Sequence, residues 1–235
     1  MKKLLTIIFS LFISIGFGQN SLLTQIKSST QSSYPRYGVD INGVYYFVGG
    51  IANSSNYGFW KSDGTPGGTT RIVTATGTKP QPSIRNKECI IPFGNKALLI
   101  ASDYYNNLNY ELWITDGTPA GTFLVKDINV NSRTSDIKNI KVVSMKGALK
   151  AFFSANDGLV GEELWVTDGT TEGTKLLKDI NPDSGSSSPS NFEVLQDKVL
   201  FAATDSKNGR ELWITDGTSG GTELVKDIYP GVKSS

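Results

Sequence analysis

The sequence predicts an all-β protein, a β-propeller-like array of about four four-stranded antiparallel blades. A tryptophan motif recurs at residues 60, 113, 165 and 213, so successive copies are 48 to 53 residues apart. Each interval divides into four short strand candidates separated by turn residues. These strands are apolar on both faces, so each sheet needs cover on both sides, as a propeller blade has. A β solenoid is the alternative. A two-sheet sandwich fits less well, because its strands should alternate more cleanly.

Residues 1–18 are typical of an export signal. Lys2 and Lys3 precede an apolar run over residues 4–17, and Gly16 and Gly18 place small side chains before a cleavage site at Gln19. A short membrane anchor is the alternative, although the run is shorter than the ~20 residues that span a bilayer. Residues 19–34 are predicted to be a linker. We therefore expect a secreted or cell-surface protein, with no membrane insertion after signal cleavage.

Charge and residue usage exclude several classes of function. The net charge of +1 predicts no surface that attracts nucleic acid. The chain has no His, which excludes a Ser-His-Asp triad and every histidine-based zinc site. Cys89 is the single cysteine, and we expect it to be a small buried side chain in a strand, with a reactive thiol as the alternative. We expect no cofactor and no metal.

Four repeats are predicted, over about residues 35–76, 77–128, 129–180 and 181–228. The last three carry the motif as ELWITDGT at 111–118, ELWVTDGT at 163–170 and ELWITDGT at 211–218. The first is divergent, with FWKSDGT at 59–65 and no KDI ending. Residues 229–235 are predicted to be the start of a fifth repeat or a tail that closes a four-bladed ring.

With these motifs the chain resembles the ELWxxDGT repeat family of exported bacterial proteins. Three copies match the motif in full, whereas the copy at Trp60 keeps the Trp, the Asp-Gly-Thr and the later Gly-Thr. The resemblance covers roughly residues 35–228 and implies a propeller-like fold. It implies no activity for individual residues, because the family is defined by its repeat.

Each motif is predicted to form a hairpin connection. The aspartate should accept hydrogen bonds from the following residues in an Asx-turn, and the next glycine should supply a positive φ. A second glycine, four residues later, should let the chain re-enter the returning strand. The tryptophans are expected to be packing anchors, with sugar-stacking platforms as the alternative. The predicted structural residues are Trp60, Asp63, Gly64, Trp113, Asp116, Gly117, Trp165, Asp168, Gly169, Trp213, Asp216 and Gly217.

A catalytic or calcium role for the acidic residues is the alternative. Asp103, Asp157 and Asp205 each precede the glutamate of a motif by six to eight residues, so a carboxylate pair per repeat is conceivable. A catalytic pair is placed once, where the substrate lies, whereas these residues recur. Repetition therefore favours a structural role.

Recognition is expected in the loops that vary between repeats. The segment 103–110 combines tyrosine and asparagine, which offer flat apolar faces beside amide groups. The predicted ligand-binding residues are Tyr104, Tyr105, Asn106, Asn107, Asn109 and Tyr110. The sequence thus predicts a non-enzymatic binding or scaffolding module, with an extracellular glycan or protein as its partner. The alternatives are a propeller-type hydrolase or lyase with catalytic residues in variable loops, and a structural spacer of a larger adhesin.

Overall fold

The computed structural model describes residues 32–51, 57–82, 88–103, 109–131, 134–182 and 185–231. Regular structure in these ranges consists of seventeen β-strands. Within the same ranges no helix is long and apolar enough to span a membrane. The predicted signal, residues 1–18, and most of the predicted linker lie outside the described residues.

The strands form four sheets, which we call blades one to four in chain order. Blade one contains β1 (Arg36–Ile41), β2 (Val44–Gly49), β3 (Gly58–Ser62) and β4 (Thr70–Arg71). Blade two contains β5 (Gln81–Pro82), β6 (Ile90–Phe93), β7 (Lys96–Ser102), β8 (Glu111–Thr115) and β9 (Phe123–Lys126). Blade three contains β10 (Lys138–Met145), β11 (Ala148–Asn156), β12 (Glu162–Thr167) and β13 (Lys175–Lys178). Blade four contains β14 (Ser190–Leu195), β15 (Lys198–Asp205), β16 (Gly209–Thr215) and β17 (Glu223–Lys226).

Each blade is an antiparallel meander in which strands pair in chain order. The first strand of blade two is divided, because β5 and β6 both pair with β7. The first strands line one side of the array, where β1 contacts β6, β6 contacts β10 and β10 contacts β14. The predicted fold class, a propeller-like array of four-stranded antiparallel blades, is confirmed.

The first strands of blades one, three and four share an irregularity. In each, the register shifts within a few residues of the start of the strand, as in a β-bulge. The residue at the shift adopts a left-handed conformation in all three blades, with φ of 55° at Tyr37, 56° at Asn139 and 57° at Asn191. Bulges of this kind re-aim side chains, and they are frequent next to functional sites.

The core lies between the blades. In blade four, Val199, Phe201 and Ala203 alternate along β15 on the face that is fully buried, and Trp213 lies opposite Phe201. They form one buried cluster with side chains of blade three. The opposite face of blade four is partly exposed. The expectation that apolar strands are covered on both faces therefore holds for blades two and three and not for blade four.

Candidate functional site

The Asp-Gly-Thr segment forms the same closed turn in all four blades. In blade two, Asp116 accepts hydrogen bonds from the Thr118 backbone N–H at 2.8 Å and from its hydroxyl at 2.7 Å. The Thr118 hydroxyl then accepts a hydrogen bond from the Gly121 N–H at 3.0 Å. The first glycines, Gly64, Gly117, Gly169 and Gly217, have φ between 85° and 87°. The aspartate oxygen is thus engaged within its own turn.

A buried pair of hydroxyl groups closes the base of each turn. The Oγ1 atoms of Thr115 and Thr122 lie 2.7 Å apart in blade two, and equivalent pairs occur in the other blades. The second glycine has a role that the sequence did not indicate. Its φ lies outside the left-handed region, and a Cβ at Gly121 would overlap the Asp116 carboxylate. The glycine makes room for the aspartate, and its role is therefore not limited to redirecting the chain.

These hydrogen bonds determine how the turn aspartates titrate. Donation by Thr65 and Thr218 lowers the pKa of Asp63 and Asp216. At Asp116, burial raises the pKa, but the hydrogen bonds from Thr118 together lower it below the ordinary value. The aspartates are therefore stable anions and hydrogen-bond acceptors, which suits a turn and does not suit a proton donor.

The glutamate of the motif is a buried connector between elements. Glu163 accepts hydrogen bonds from the Ile180 N–H at 2.8 Å and from the N–H and hydroxyl of Ser187 at 2.8 and 2.6 Å. Burial raises the pKa of Glu163 despite these bonds. In blade two, burial raises the pKa of Glu111 to about 7, while hydrogen bonds from Ile128 and Ser135 oppose the shift.

The divergent first blade replaces this connector with a cation. Gly58 stands where the other motifs have glutamate, and the Arg71 guanidinium lies against it and donates to the Tyr57 carbonyl. A Cβ at Gly58 would overlap Arg71, so the loss of the glutamate side chain and the presence of the arginine are coupled.

The conceivable carboxylate pairs do not form a shared site. Asp157 accepts hydrogen bonds from the N–H groups of Leu159 and Val160, and Asp205 accepts them from Lys207 and Asn208, within their own loops. Within the described ranges no group of three Cys, Asp or Glu side chains could hold a metal ion. Cys89 is buried, and burial raises the pKa of its thiol to about 12, as expected for a packing residue.

Most of the predicted binding loop lies outside the described residues, including Tyr104, Tyr105, Asn106 and Asn107. Asn109 and Tyr110 are described, and both are half-buried. The Tyr110 ring packs against the core, and its carbonyl accepts hydrogen bonds from the N–H and hydroxyl of Ser135. Tyr110 thus takes part in packing, and a role in ligand binding stays a prediction for all six residues of the loop.

A cleft of about 380 Å³ opens between the first strands of three blades. Its lining comes from β1, from β6 with the residues just before it, and from β10. The lining residues are Tyr37, Gly38, Val39, Glu88, Ile90, Ile91, Pro92 and Ile140. Motif residues contribute nothing to it, so sequence reasoning that followed the motif missed this site. No sequence signal indicated it, because the bulges of the first strands are visible only in the structure.

Tyr37, which lines the cleft, contacts a cation. The Arg36 guanidinium lies 5.2 Å from the centre of the Tyr37 ring and 5.9 Å from that of Tyr57. Arg36 also donates a hydrogen bond to the Tyr57 hydroxyl at 3.4 Å. Glu88 is exposed to solvent at the cleft. The lining therefore combines apolar side chains, an aromatic ring and a carboxyl group, and the Arg36 guanidinium lies beside the ring.

No protein-family model matches the chain, and no curated protein matches it in sequence. Among solved structures, the family 117 glycoside hydrolase Zg3597 of Zobellia galactanivorans is 15% identical, with a TM-score of 0.39, over 85% of this chain and 69% of that one. A thermostable family 43 glycoside hydrolase is 11% identical, with a TM-score of 0.37, over 83% and 72%. A puromycin hydrolase is 16% identical, with a TM-score of 0.43, over 83% of this chain and 31% of its own length. This chain thus spans about a third of the puromycin hydrolase. The named activities are those of the matched proteins.

These matches contradict the prediction of a non-enzymatic binding or scaffolding module, since the matched propeller structures are those of hydrolases. The prediction failed because it was based on the repeated residues alone. A residue copied in every blade serves what every blade needs, whereas a substrate site occurs once per array. The structural role of the motif therefore carried no information about catalysis.

The second glycine gives a test of the turn in blade four. We expect Gly221→Ala to lower the free energy of unfolding by about 1–3 kcal/mol, because the new Cβ would overlap the Asp216 carboxylate. Gly220→Ala is the matched control, since a Cβ at Gly220 meets no atom within 4 Å. We expect the control to stay within about 0.5 kcal/mol of the parent protein. Urea unfolding measures both, and equal effects of the two substitutions would contradict the role assigned to Gly221.

The raised pKa of Glu111 predicts that the free energy of unfolding changes between pH 4.5 and 7. Its folded-state pKa, about 7, is above the ordinary 4.5, so the folded state holds the proton more tightly than the unfolded state. The stabilisation is complete below pH 4.5 and is lost as the pH rises through 7. We expect Glu111→Gln, which keeps an acceptor oxygen and no titrating proton, to flatten this part of the stability profile. Glu172→Gln, at an exposed turn position, is the control and should leave the profile unchanged. A Glu111→Gln variant with the parent profile would show that Glu111 is not the responsible group.

Proposed function

We propose that the protein is a hydrolase that acts on a glycan, with its substrate site in the cleft between β1, β6 and β10. The observation that carries the proposal is that the array departs from its repeat at this cleft. Sites of recognition and chemistry are expected where a repeated scaffold becomes irregular. The predicted export signal supports a reaction outside the cytoplasm, where a polymeric glycan is accessible.

Blade two supplies the irregularity. Its first strand is divided into β5 (Gln81–Pro82) and β6 (Ile90–Phe93), whereas each of the other blades has one first strand of six to eight residues. Glu88 lies at the β6 end of this division and faces the cleft. Glu88 has no counterpart in the repeated motif. A catalytic carboxyl group is expected to occur once, where the substrate lies, and Glu88 fits that expectation.

Blade one supplies the groups that suit a sugar. The Tyr37 ring can stack on the apolar face of a pyranose, and the Arg36 guanidinium beside it can donate hydrogen bonds to hydroxyl oxygens. The other bulged strands have Asn139 and Asn191 in place of Tyr37. The aromatic platform, like the carboxyl group, therefore occurs at one place in the described array.

The chemistry of glycoside hydrolysis needs two carboxyl groups, one to protonate the leaving oxygen and one to act as a base or nucleophile. Glu88 is the one carboxyl group among the described residues that line the cleft. We assign it one of these two roles. Ile90, Ile91 and Pro92 line the cleft beside it and make the lining largely apolar.

Substitution of Glu88 tests the assignment. We expect the parent protein to release sugar from at least one substrate in a panel of β-1,3-galactan, arabinan and xylan oligosaccharides. Glu88→Gln should lower kcat by about 10²–10⁴-fold with little change in KM, as is typical for loss of a general acid or base. Tyr37→Ala should mainly raise KM, because it removes a stacking surface.

Glu172→Gln is the matched control, since Glu172 is exposed in a turn of blade three, and its kinetics should equal those of the parent. Reducing-end release measured by chromatography distinguishes the outcomes. Full activity of the Glu88→Gln variant would remove Glu88 from the mechanism. A parent protein inactive on every substrate of the panel would contradict the proposed function.

A further inference from the structure

The chain enters blades one, three and four with the same backbone geometry. A buried serine precedes each first strand, and its carbonyl accepts a hydrogen bond from an N–H at or next to the end of the second strand. We call Ser33, Ser135 and Ser187 the entrance serines, and these three bonds measure 2.8, 2.7 and 2.9 Å. The residue after each entrance serine is left-handed, with φ of 41° at Tyr34, 50° at Asp136 and 45° at Ser188. Blade one is thus entered in the same way as the blades that follow another blade.

The chain that leads into blade four also helps to cover it. Leu177 and Ile180 stand ten and seven residues before the entrance serine Ser187, and both are at most 5% exposed. They belong to one buried cluster with Phe201 and Trp213 of blade four. The same spacing and burial occur before Ser135, at Val125 and Ile128. The segment before an entrance serine therefore contributes two apolar side chains to the tryptophan face of the blade that it enters.

The sequence before Ser33 repeats this spacing. Leu23 and Ile26 stand ten and seven residues before it, as Leu177 and Ile180 stand before Ser187. The segment LLTQI at 22–26 matches LLKDI at 176–180 at both leucines and at the isoleucine. It precedes the described ranges and follows the predicted export signal by a few residues. The repeat therefore provides an apolar segment for blade one at the place where the other blades have theirs.

The tryptophan face of blade one contains Phe47 and Trp60. These residues lie opposite each other, as Phe201 and Trp213 do in blade four. Tyr46 lies on the other face, toward blade two, where a Cβ at Gly117 would approach its hydroxyl to 2.7 Å. Because side chains alternate along a strand, Phe47 faces away from blade two.

Phe47 is buried on a face that no described blade covers. It is 3% exposed, yet it belongs to neither of the two buried clusters of described residues. Tyr45 stacks on its ring at 5.4 Å between centroids, but Tyr45 is itself 44% exposed. Burial of Phe47 to this extent therefore calls for further apolar cover on the tryptophan face of blade one.

We propose that residues 22–26 dock on this face of blade one, with Leu23 and Ile26 against Phe47 and Trp60. The contact has the form that the array already uses between the chain before Ser187 and blade four. It replaces the interpretation of these five residues as a linker with a packing role. The inference is independent of the proposed hydrolase activity, because it concerns the face of blade one formed by its second and third strands, and Glu88 takes no part in it.

Removal of the segment tests the proposal. A chain that begins at the predicted cleavage site, Gln19, is compared with a shorter chain that begins at Ser28. The reporter in both is Phe47→Cys, and the thiol of Cys89 is buried and does not compete. We expect the thiol introduced at position 47 to react with a disulfide reagent at least about tenfold faster in the shorter chain, because its cover is lost.

Phe201→Cys is the matched control, because Phe201 holds the same place in blade four and is covered by blade three. Its labelling should be slow and equal in the two chains, which shows that the shorter chain keeps its fold. Faster labelling at position 47 alone supports the proposal. Equal labelling at position 47 in the two chains overturns it.

Point substitutions decide the case in which the shorter chain does not fold, which fast labelling at position 201 would reveal. In the chain from Gln19, Leu23→Asn should speed labelling at position 47. Ser21→Asn should not, because Ser21 stands twelve residues before Ser33, where the exposed Lys175 stands before Ser187. Equal rates in these two variants would overturn the proposal. Labelling at position 47 that slows as the protein concentration rises would assign the face to a second copy of this chain and would also overturn it.

Discussion

A buried carboxylate holds successive elements of this protein together. Glu163 joins the third strand of its blade to the end of the fourth strand through Ile180, and to the entrance of the following blade through Ser187. Removing a carboxylate from water is expensive, and several N–H and hydroxyl donors are needed to offset that cost. The chain must therefore leave one blade and enter the next along a single path. Blades two to four therefore carry the same glutamate at the same place in the motif, whereas blade one has Gly58 there.

The hairpin turn depends on the same packing between blades. Its glycine has a positive φ, and it also lies where the preceding blade approaches closely, as Gly169 does beside Phe93 and Ile114. A side chain at this position would be unfavourable in both the turn and the interface. The aspartate, the threonine hydroxyl and the second glycine complete the turn through hydrogen bonds to one another. Strict copying of the motif is thus explained by packing and hydrogen bonding.

The cleft follows a different principle. It lies where the first strands of blades one to three meet, and its lining residues belong to bulged or divided strands and not to the motif. Tyr37 and Glu88 occur once, whereas Asp116 and Glu111 have counterparts in other blades. The sequence argument against an enzyme concerned the repeated acids, and the structure gives those acids roles in turns and connections. That argument did not consider Glu88, which lines the cleft and has no counterpart in the repeated motif.

The sequence by itself determined the features that depend on neighbouring residues. Strands, meander order and the Asx-turns at Asp63, Asp116, Asp168 and Asp216 follow from periodicity and from hydrogen bonds that span a few residues. Tertiary structure decided what distant residues do to one another. Glu163 meets Ser187 across 24 residues, and Gly121 makes room for the Asp116 carboxylate only in the folded turn. Glu88 and Tyr37 line one cleft only when two blades pack. The exposure of Leu212 was also decided by tertiary structure. Leu112, Leu164 and Leu212 hold the same position of the motif, yet only Leu212 is exposed. Burial depends on which blade packs against it, and local pattern contains no information about that contact.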